Sequence, residues 1–160
     1  MAANPEYMAE IKTIEFNLNG NPMEAYEGET ILQAAKRNGI DIPHLCFKEG
    51  LRGDGNCRAC VVEIEGERVL QPSCMRMPSA GMVVHTDNER VLHSQRMVLE
   101  LLQSDVTESS YSRDSELDFW SKRLAVGKPR FEARHNPTAD LSHPAIAVNL
   151  DACIQCTRCV

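Results

Sequence analysis

The sequence lacks several features that would assign it to common classes of protein. No apolar run approaches the roughly 20 residues that a membrane-spanning helix requires, so we expect no membrane span. The N-terminal stretch MAANPEYMAEIK has neither a basic region nor an apolar core, so it is not a secretory signal and we expect a cytoplasmic protein. The formal net charge of −6 has the wrong sign for a nucleic-acid surface, so we expect no nucleic-acid partner.

Recognisable catalytic motifs are also missing. The 160 residues contain no phosphate-binding loop, no GxSxG motif, no nucleophile with a paired base and no internal repeat. The hydrophobic fraction of 42% and the charged fraction of 25% are those of an ordinary globular protein. The length suits one domain with appendages or two small domains. We therefore expect no catalytic residues within these 160 positions.

Cysteine, by contrast, is abundant and unevenly placed. Seven cysteines fall into two groups, and the residues between the groups, 75–152, contain none. Because the cytosol is reducing, a disulfide framework is disfavoured, and metal ligation better explains such clustering. The first group, here called the quartet, comprises Cys46, Cys57, Cys60 and Cys74. The second group, here called the triplet, comprises Cys153, Cys156 and Cys159.

The quartet has the spacing C-x10-C-x2-C-x13-C, which suits a [2Fe–2S] cluster. Each of the two irons in such a cluster takes a pair of thiolates. Gly50, Gly53 and Gly55 lie in the intervening loop, where they allow the backbone to approach a cluster and point N–H groups at its sulfurs. Arg52 and Arg58 have the sign needed to offset the cluster's negative charge, although an exposed arginine is the ordinary alternative.

Three alternatives remain for the quartet. Structural zinc usually uses two CxxC pairs, or one pair with histidines, whereas the quartet has one CxxC. Disulfides are disfavoured by compartment, and four unrelated buried cysteines are disfavoured by their concentration around one glycine-rich loop. Two other functions therefore stay open beside a cluster within a larger enzyme: a free-standing [2Fe–2S] ferredoxin-like carrier and a zinc-stabilised interaction module.

The first strands follow from hydrophobic alternation and turn residues. Ile14, Phe16 and Leu18 alternate with polar residues and indicate a half-buried strand. Asn19-Gly20 is a hairpin pair, after which PMEAYEG predicts the returning strand. Further along, VVEIEGERVLQPS predicts two strands around a turn, and GMVVHTD predicts a last strand.

The helices follow from capping residues and apolar spacing. Thr30 and Gln33 form a capping box, and Gly39 suits the C-terminal cap, so ETILQAAKRNG predicts a short helix. Thr86 and Glu89 form a second capping box ahead of a longer helix. The predicted buried stripe of that helix is Val91, Val98, Leu101 and Leu102, with Leu92 and Met97 flanking it. A further amphipathic helix is predicted with Leu117, Trp120 and Leu124 on its apolar face.

These patterns predict an α+β fold: a small curved sheet with one helix across it, then a helical segment and an extended linker. AIAVNL predicts a short apolar strand that leads into the triplet. The predicted parts are a tail at 1–10, a [2Fe–2S] ferredoxin-like domain at 11–86, helices at 87–126, a linker at 127–145, and the start of a truncated [4Fe–4S] domain at 146–160.

The triplet is most of the bacterial ferredoxin run C-x2-C-x2-C-x3-C-P, which holds [4Fe–4S] clusters. The fourth cysteine would fall beyond Val160, so the ligand set is incomplete and a [4Fe–4S] cluster is expected only if the chain continues. Our hypothesis is that the sequence is the N-terminal portion of a longer subunit. The alternative is that Val160 is the true terminus, and an intact mass near 17.9 kDa for the natural protein would favour it.

The segment LCFKEGLRGDGNCRACVVEIEGERVLQPSC resembles the N-terminal [2Fe–2S] domain of three related families. They are the large subunit of NADH–quinone oxidoreductase, the iron-only hydrogenases, and the catalytic subunit of NAD-dependent formate dehydrogenases. The resemblance covers residues 11 to about 104 and reappears at HPAIAVNLDACIQCTRCV. It implies the β-grasp fold of plant-type ferredoxins, with the quartet as cluster ligands.

The stretch between the two cysteine groups departs from most of these families. There, the helix after the ferredoxin domain leads to a [4Fe–4S] site of one histidine and three cysteines. Here no cysteine lies between the groups, and His85 and His93 have no thiol nearby in sequence, so both are expected to be surface residues or core residues with satisfied hydrogen bonds. The departure favours the formate dehydrogenase family. That resemblance implies a molybdenum or tungsten pterin centre elsewhere in the full subunit and a flavin/NAD-binding partner subunit that receives the electrons.

Overall fold

The computed structural model describes residues 12–106, 115–133, 139–148 and 153–158. These ranges form a five-stranded sheet with a helix, two further helices and a separate hairpin. The predicted N-terminal tail lies outside the described residues. The elements are β1 Thr13–Leu18, β2 Asn21–Tyr26, α1 Ile31–Arg37, β3 Val61–Ile64, β4 Gln71–Pro72, β5 Val83–His85, α2 Glu89–Asp105, α3 Glu116–Arg123, β6 Asp140–His143 and β7 Ile146–Val148.

The main sheet is mixed, with the order β2-β1-β5-β3-β4. β1 and β5 run parallel at its centre, and the other neighbours are antiparallel. Residues of α1 and of the central strands share one buried core, which includes Phe16, Leu18, Ile31, Leu32, Val62 and Val84. This is the small α+β domain that the sequence predicts. The finer β-grasp assignment and the domain boundaries stay predictions.

The β1–β2 hairpin closes with a two-residue turn. Asn19 and Gly20 both have positive φ angles, 53° and 82°, which is the conformation for which an Asn-Gly pair is favoured. The Asn19 side chain donates to Thr86 Oγ1 at 2.7 Å and accepts from the Thr86 N–H at 2.8 Å. The turn is thereby fastened to the chain just after β5, which strengthens the parallel pairing of β1 with β5.

Helix α1 begins with the predicted capping box. The Gln33 N–H donates to Thr30 Oγ1 at 3.3 Å, and the Thr30 N–H donates to Gln33 Oε1 at 3.0 Å. Gly39 follows the helix with φ 76°, as expected for a left-handed C-terminal position. The helix buries Ile31, Leu32, Ala34 and Ala35, the apolar face that the sequence predicts.

Replacing Thr30 with alanine should destabilise the domain by about 1 kcal/mol, because the Gln33 N–H loses its side-chain acceptor. Denaturant unfolding followed by circular dichroism measures the change. Thr30→Ser should retain most of the stability, since serine caps as well as threonine. Thr13→Ala, at an exposed strand position, removes the same atoms and should stay within about 0.5 kcal/mol. Equal losses at both positions would contradict the capping role.

Helix α2 differs from its prediction at its start and on its buried face. Its N-cap is Asn88, whose side chain accepts from the Val91 N–H, because the Thr86 hydroxyl is already bonded to the hairpin turn. The buried face consists of Val91, Gln95, Leu99, Glu100 and Ser104. Leu101, predicted to be buried, is 45% exposed. Of the predicted stripe, Val91 is fully buried and Val98 and Leu102 pack against the core, so the prediction was wrong at Leu101. The helix also turns polar Gln95 inward, where its amide donates to the Val61 carbonyl at 3.0 Å.

Two other segments also differ from expectation. β4 has two residues, since the Arg68 carbonyl accepts from Arg90 rather than from a strand partner and Val69 is exposed. The predicted linker contains β6, which pairs with the predicted strand, β7, in an exposed antiparallel hairpin. No helix in the described part of the chain is long and apolar enough to cross a membrane.

Candidate iron–sulfur site

The quartet lies at one end of the sheet and is buried. Cys46, Cys57 and Cys60 belong to the segment between α1 and β3, and Cys74 follows β4. Their exposed fractions lie between 1% and 9%. Two long loops therefore bring four thiols that are up to 28 residues apart in sequence into the interior of the protein, as the glycine-rich spacing predicts.

The four thiols are arranged as two pairs. The Cys46 N–H donates to Cys57 Sγ at 3.5 Å, and the side chains of these two residues are also hydrogen-bonded. Cys60 and Cys74 form the second hydrogen-bonded pair. Cys74 also interacts electrostatically with Cys46 and Cys57, so the two pairs lie next to each other. One pair for each of two irons is what a [2Fe–2S] cluster requires.

A single metal ion needs its donors to converge on one point. Among residues 12–106, 115–133, 139–148 and 153–158, no three Cys, His, Asp or Glu side chains are grouped in that way. The paired arrangement of the quartet matches the two pairs of thiolates that a two-iron cluster takes.

The protonation behaviour of the thiols follows from burial and pairing. Burial raises the pKa of Cys57, because a charged thiolate is poorly solvated in the protein interior. The hydrogen bond from the Cys74 thiol lowers the pKa of Cys60, and the same hydrogen bond raises the pKa of Cys74. The Cys60–Cys74 pair thus shares a proton between its two sulfurs. Binding of a metal cluster would displace thiol protons, since metal ligands are thiolates.

Backbone N–H groups point at two of the sulfurs, as the sequence predicts, but the identified donors are not the loop glycines. Cys57 Sγ accepts from the N–H groups of Cys46 and Ala59, and Cys60 Sγ accepts from the N–H group of Cys74. Such hydrogen bonds stabilise negative charge on cluster sulfurs. The N–H donors therefore belong to the cysteines themselves or to a residue next to one of them in sequence.

Two of the loop glycines serve close packing instead. A Cβ atom added at Gly53 would lie 3.1 Å from Met75 Sδ and 3.3 Å from the Cys74 carbonyl oxygen. One added at Gly55, which has a φ of 64°, would lie 3.0 Å from Met75 Cγ. The loop therefore lies directly against the chain around Cys74. This close approach is what brings the Cys57–Cys60 part of the loop to Cys74.

The predicted charge partners lie at the surface. Arg52 is 91% exposed in its side chain and pairs with Asp54 at 3.4 Å. Arg58 is exposed and has a φ of 57°, an uncommon angle for a residue other than glycine. Arg52 and Arg58 are therefore both exposed side chains, which was the ordinary alternative to a role beside the cluster. His85 pairs with Glu65 at 2.9 Å and His93 is exposed, in agreement with the expectation that both are surface residues or core residues with satisfied hydrogen bonds.

The triplet segment contacts the quartet loop, which the sequence did not predict. Cys153 and Cys156 are half-buried, and Cys159 lies outside the described residues. Ile154 and Cys156 pack against a buried cluster that contains Cys46 and Cys57. The two cysteine groups, separated by 78 residues in sequence, are thus adjacent in space.

Helix α3 closes the same cluster from another side. Leu117 and Trp120 are buried there beside Leu45 and Leu99, and the Trp120 ring lies 5.8 Å from the His44 ring. The predicted apolar face of this helix is therefore confirmed at Leu117 and Trp120. Residues 107–114, between α2 and α3, lie outside the described residues.

The fold and the paired thiols define an iron–sulfur domain. Residues 11–89, just under half of the chain, match the family model described as "2Fe-2S iron-sulfur cluster binding domain". This segment is therefore similar to iron–sulfur cluster binding domains in sequence as well as in its paired thiols.

Named relatives include oxidoreductase and hydrogenase subunits. The chain is 35% identical to a subunit of the NADH-quinone oxidoreductase of Rickettsia felis over 152 residues, covering 92% of this chain and 23% of that protein. It is 36% identical to NADP-reducing hydrogenase subunit HndD of Solidesulfovibrio fructosivorans over 161 residues, covering 91% of this chain and 27% of that protein. The chain thus spans about a quarter of the length of these curated relatives.

A solved structure supports the same relationship. A chain from the crystal structure of NAD+-reducing [NiFe]-hydrogenase in the H2-reduced state superposes with a TM-score of 0.82 at 29% identity. The match covers 92% of this chain and 64% of the hydrogenase chain. Nearly the whole chain, including parts beyond the [2Fe–2S] domain, therefore has a counterpart in a hydrogenase subunit.

Proposed function

We propose that the quartet binds a [2Fe–2S] cluster and that the chain passes single electrons through it. The observation that carries this proposal is the presence of two adjacent pairs of buried thiols. When bound, the cluster supplies one-electron exchange between ferric and ferrous iron, without a bond to a substrate. The proposed ligands are Cys46, Cys57, Cys60 and Cys74.

The residues around the thiols would make this exchange efficient. Burial of the four side chains excludes water, which protects the sulfurs and keeps reorganisation of solvent small. The N–H groups of Cys46, Ala59 and Cys74 donate to sulfur and would favour the reduced, more negative form. Gly53 and Gly55 allow the two ligand-bearing segments to pack closely against each other, because neither has a Cβ atom.

A visible spectrum with metal analysis tests this proposal. The purified protein should be brown, with iron and acid-labile sulfide in equal amounts, and reduction should bleach it and give an electron paramagnetic resonance (EPR) signal. The free-standing carrier gives the same spectrum but would transfer electrons without co-purifying subunits. A colourless protein with zinc and no iron would overturn the proposal in favour of a zinc-stabilised interaction module.

We further propose that the whole subunit belongs to a formate dehydrogenase. The cysteine-free stretch between the two groups supports this choice. It offers no thiols for the [4Fe–4S] site of one histidine and three cysteines that most of the related families have there. The names of the relatives refer to NADH, NADP and NAD+, which supports a flavin/NAD-binding partner subunit. In this proposal the triplet begins a [4Fe–4S] site that is completed only if the chain continues, and a molybdenum or tungsten pterin centre lies elsewhere in the subunit.

Electron-donor specificity tests that choice. The natural protein, isolated with its co-purifying subunits, should contain molybdenum or tungsten, and formate should reduce its [2Fe–2S] signal and then NAD. Hydrogen gas should reduce neither of them. Rapid reduction by hydrogen, or the absence of both metals, would exclude the formate dehydrogenase proposal while leaving the electron-transfer proposal intact.

A further inference from the structure

The triplet segment is held against the quartet loop by polar contacts as well as by apolar packing. The Thr157 hydroxyl donates to the Asp54 carboxylate, and this hydrogen bond lowers the pKa of Asp54. The next residue, Arg158, contacts the same loop through the Phe47 carbonyl. Two consecutive side chains of the triplet segment therefore bind two points of the loop that carries Cys46 and Cys57.

Arg158 has the more extensive contacts of the two. Its Nη2 donates to the Phe47 carbonyl at 2.9 Å, and its Nη1 pairs with Glu116 at the start of α3. Its side chain is 21% exposed, and its Nε is buried without a hydrogen-bond partner among the described residues. A planar guanidinium can bridge two acceptors in this way, whereas an ammonium group offers no such fixed fork.

Arg158 and its acceptor Phe47 each lie next to a cysteine group in the sequence. Arg158 lies two residues after Cys156 and one before Cys159. Phe47, its acceptor, directly follows Cys46. Glu116 belongs to the helix whose Leu117 packs beside the same loop. One guanidinium thus joins the segment of each cysteine group and the helix between them.

We propose that Arg158 is a positioning residue for electron transfer between the two cysteine groups. Its fork fixes the triplet segment against the Cys46 loop, and its positive charge favours the reduced form of the cluster that the quartet would bind. The charge effect has a definite sign, because reduction adds negative charge beside a cation. This inference rests on the proposed [2Fe–2S] function of the quartet.

The test uses the natural full-length protein, purified without oxygen, with three variants. Arg158→Gln removes both the fork and the charge, and Arg158→Lys keeps only the charge. Arg52→Gln is the matched control, since it removes the same charge from the quartet loop at a side chain that is 91% exposed. Two quantities are measured: the midpoint potential of the [2Fe–2S] signal, and the hydrogen-exchange rate of the amides in residues 153–158.

The two readouts separate the two roles. Arg158→Gln should shift the midpoint potential to more negative values, further than Arg52→Gln does, and Arg158→Lys should restore most of that shift. Both Arg158 variants should speed amide exchange in 153–158 by about tenfold or more, because a charge-assisted hydrogen bond is lost. Arg52→Gln should leave exchange unchanged. Variants at Arg158 that match Arg52→Gln in both readouts would overturn the proposal.

A failure of the parent proposal would look different. If the wild-type protein contained no [2Fe–2S] cluster, no potential would be measurable, and the proposed function would fail. The exchange rates would still test the docking role of Arg158. If Arg158→Gln lost its cluster, Glu116→Gln would serve instead: it removes the negative charge of one acceptor and keeps the Phe47 contact. Glu116→Gln should speed exchange less than Arg158→Lys does, and no change in either variant would contradict docking.

Discussion

Replacement of Cys57 by serine should abolish the [2Fe–2S] cluster or leave only a small fraction of it. Cys57 is buried, pairs with Cys46 and accepts N–H hydrogen bonds from Cys46 and Ala59, so its sulfur lies at the centre of the proposed donor set. A serine hydroxyl holds its proton far more strongly than a thiol and is a poor ligand for iron. The visible absorption and the iron content of the purified variant should both fall to a small fraction of the wild-type values.

Cys153→Ser provides the matched control. It makes the same chemical change in the half-buried triplet segment, so it should leave the [2Fe–2S] spectrum of the quartet unchanged. If Cys57→Ser kept a wild-type iron content and spectrum, Cys57 would not be a ligand. If both variants lost the spectrum equally, the two groups would have to share one cluster, contrary to the separate sites proposed here.

Local patterns explain why much of the domain was predictable from sequence. The Asn19-Gly20 turn and the Thr30–Gln33 capping box depend on residues within a few positions of each other, and both form as expected. The burial of Phe16 and Leu18 follows from alternation along a single strand. The spacing of the quartet likewise contains its own signal, because four cysteines concentrated around one glycine-rich loop indicate a shared metal site.

The features that sequence reasoning missed depend on contacts between distant segments. The buried face of α2 was misassigned in part, because the Gln95 amide finds its partner in the backbone of β3, 34 residues away. Asn88 replaces Thr86 as N-cap because Thr86 is engaged by a turn 67 residues earlier. No local pattern encodes these partners. A buried glutamine that satisfies a strand carbonyl has the same sequence signature as an exposed one.

The position of the triplet segment is the most consequential of these distant contacts. Its sequence predicts ligands for a second cluster but does not indicate where that cluster would lie. The packing of Ile154 and Cys156 on the quartet's apolar surroundings places the two groups together. The signals that anticipate this contact are weak: an arginine inside a CxxCxxC run, and an acidic residue, Glu116, at the first turn of a distant helix. Their pairing becomes visible only in three dimensions.

Replacement of Trp120 by alanine should destabilise the protein by about 3–5 kcal/mol, the usual cost of removing a large buried aromatic side chain. Trp120 is 6% exposed and packs with Leu45, Leu99 and Leu117 in the cluster that also contains Cys46 and Cys57. Since small domains are stable by only about 5–15 kcal/mol, this loss would unfold a sizeable fraction of the molecules at moderate temperature. The cavity would also open a path for water toward the quartet.

Phe119→Ala is the matched control, because it removes an aromatic ring from the neighbouring position of the same helix. Phe119 is 54% exposed and contacts Trp120 edge-on, with ring centroids 5.0 Å apart, so its loss should cost about 1 kcal/mol. Denaturant unfolding measures both costs, and bleaching of the visible spectrum in air measures cluster loss. Trp120→Ala should lose its cluster several times faster than Phe119→Ala, because Trp120, unlike Phe119, packs in the buried cluster that contains Cys46 and Cys57. Similar costs and bleaching rates in the two variants would mean that α3 contributes to the fold without protecting the site.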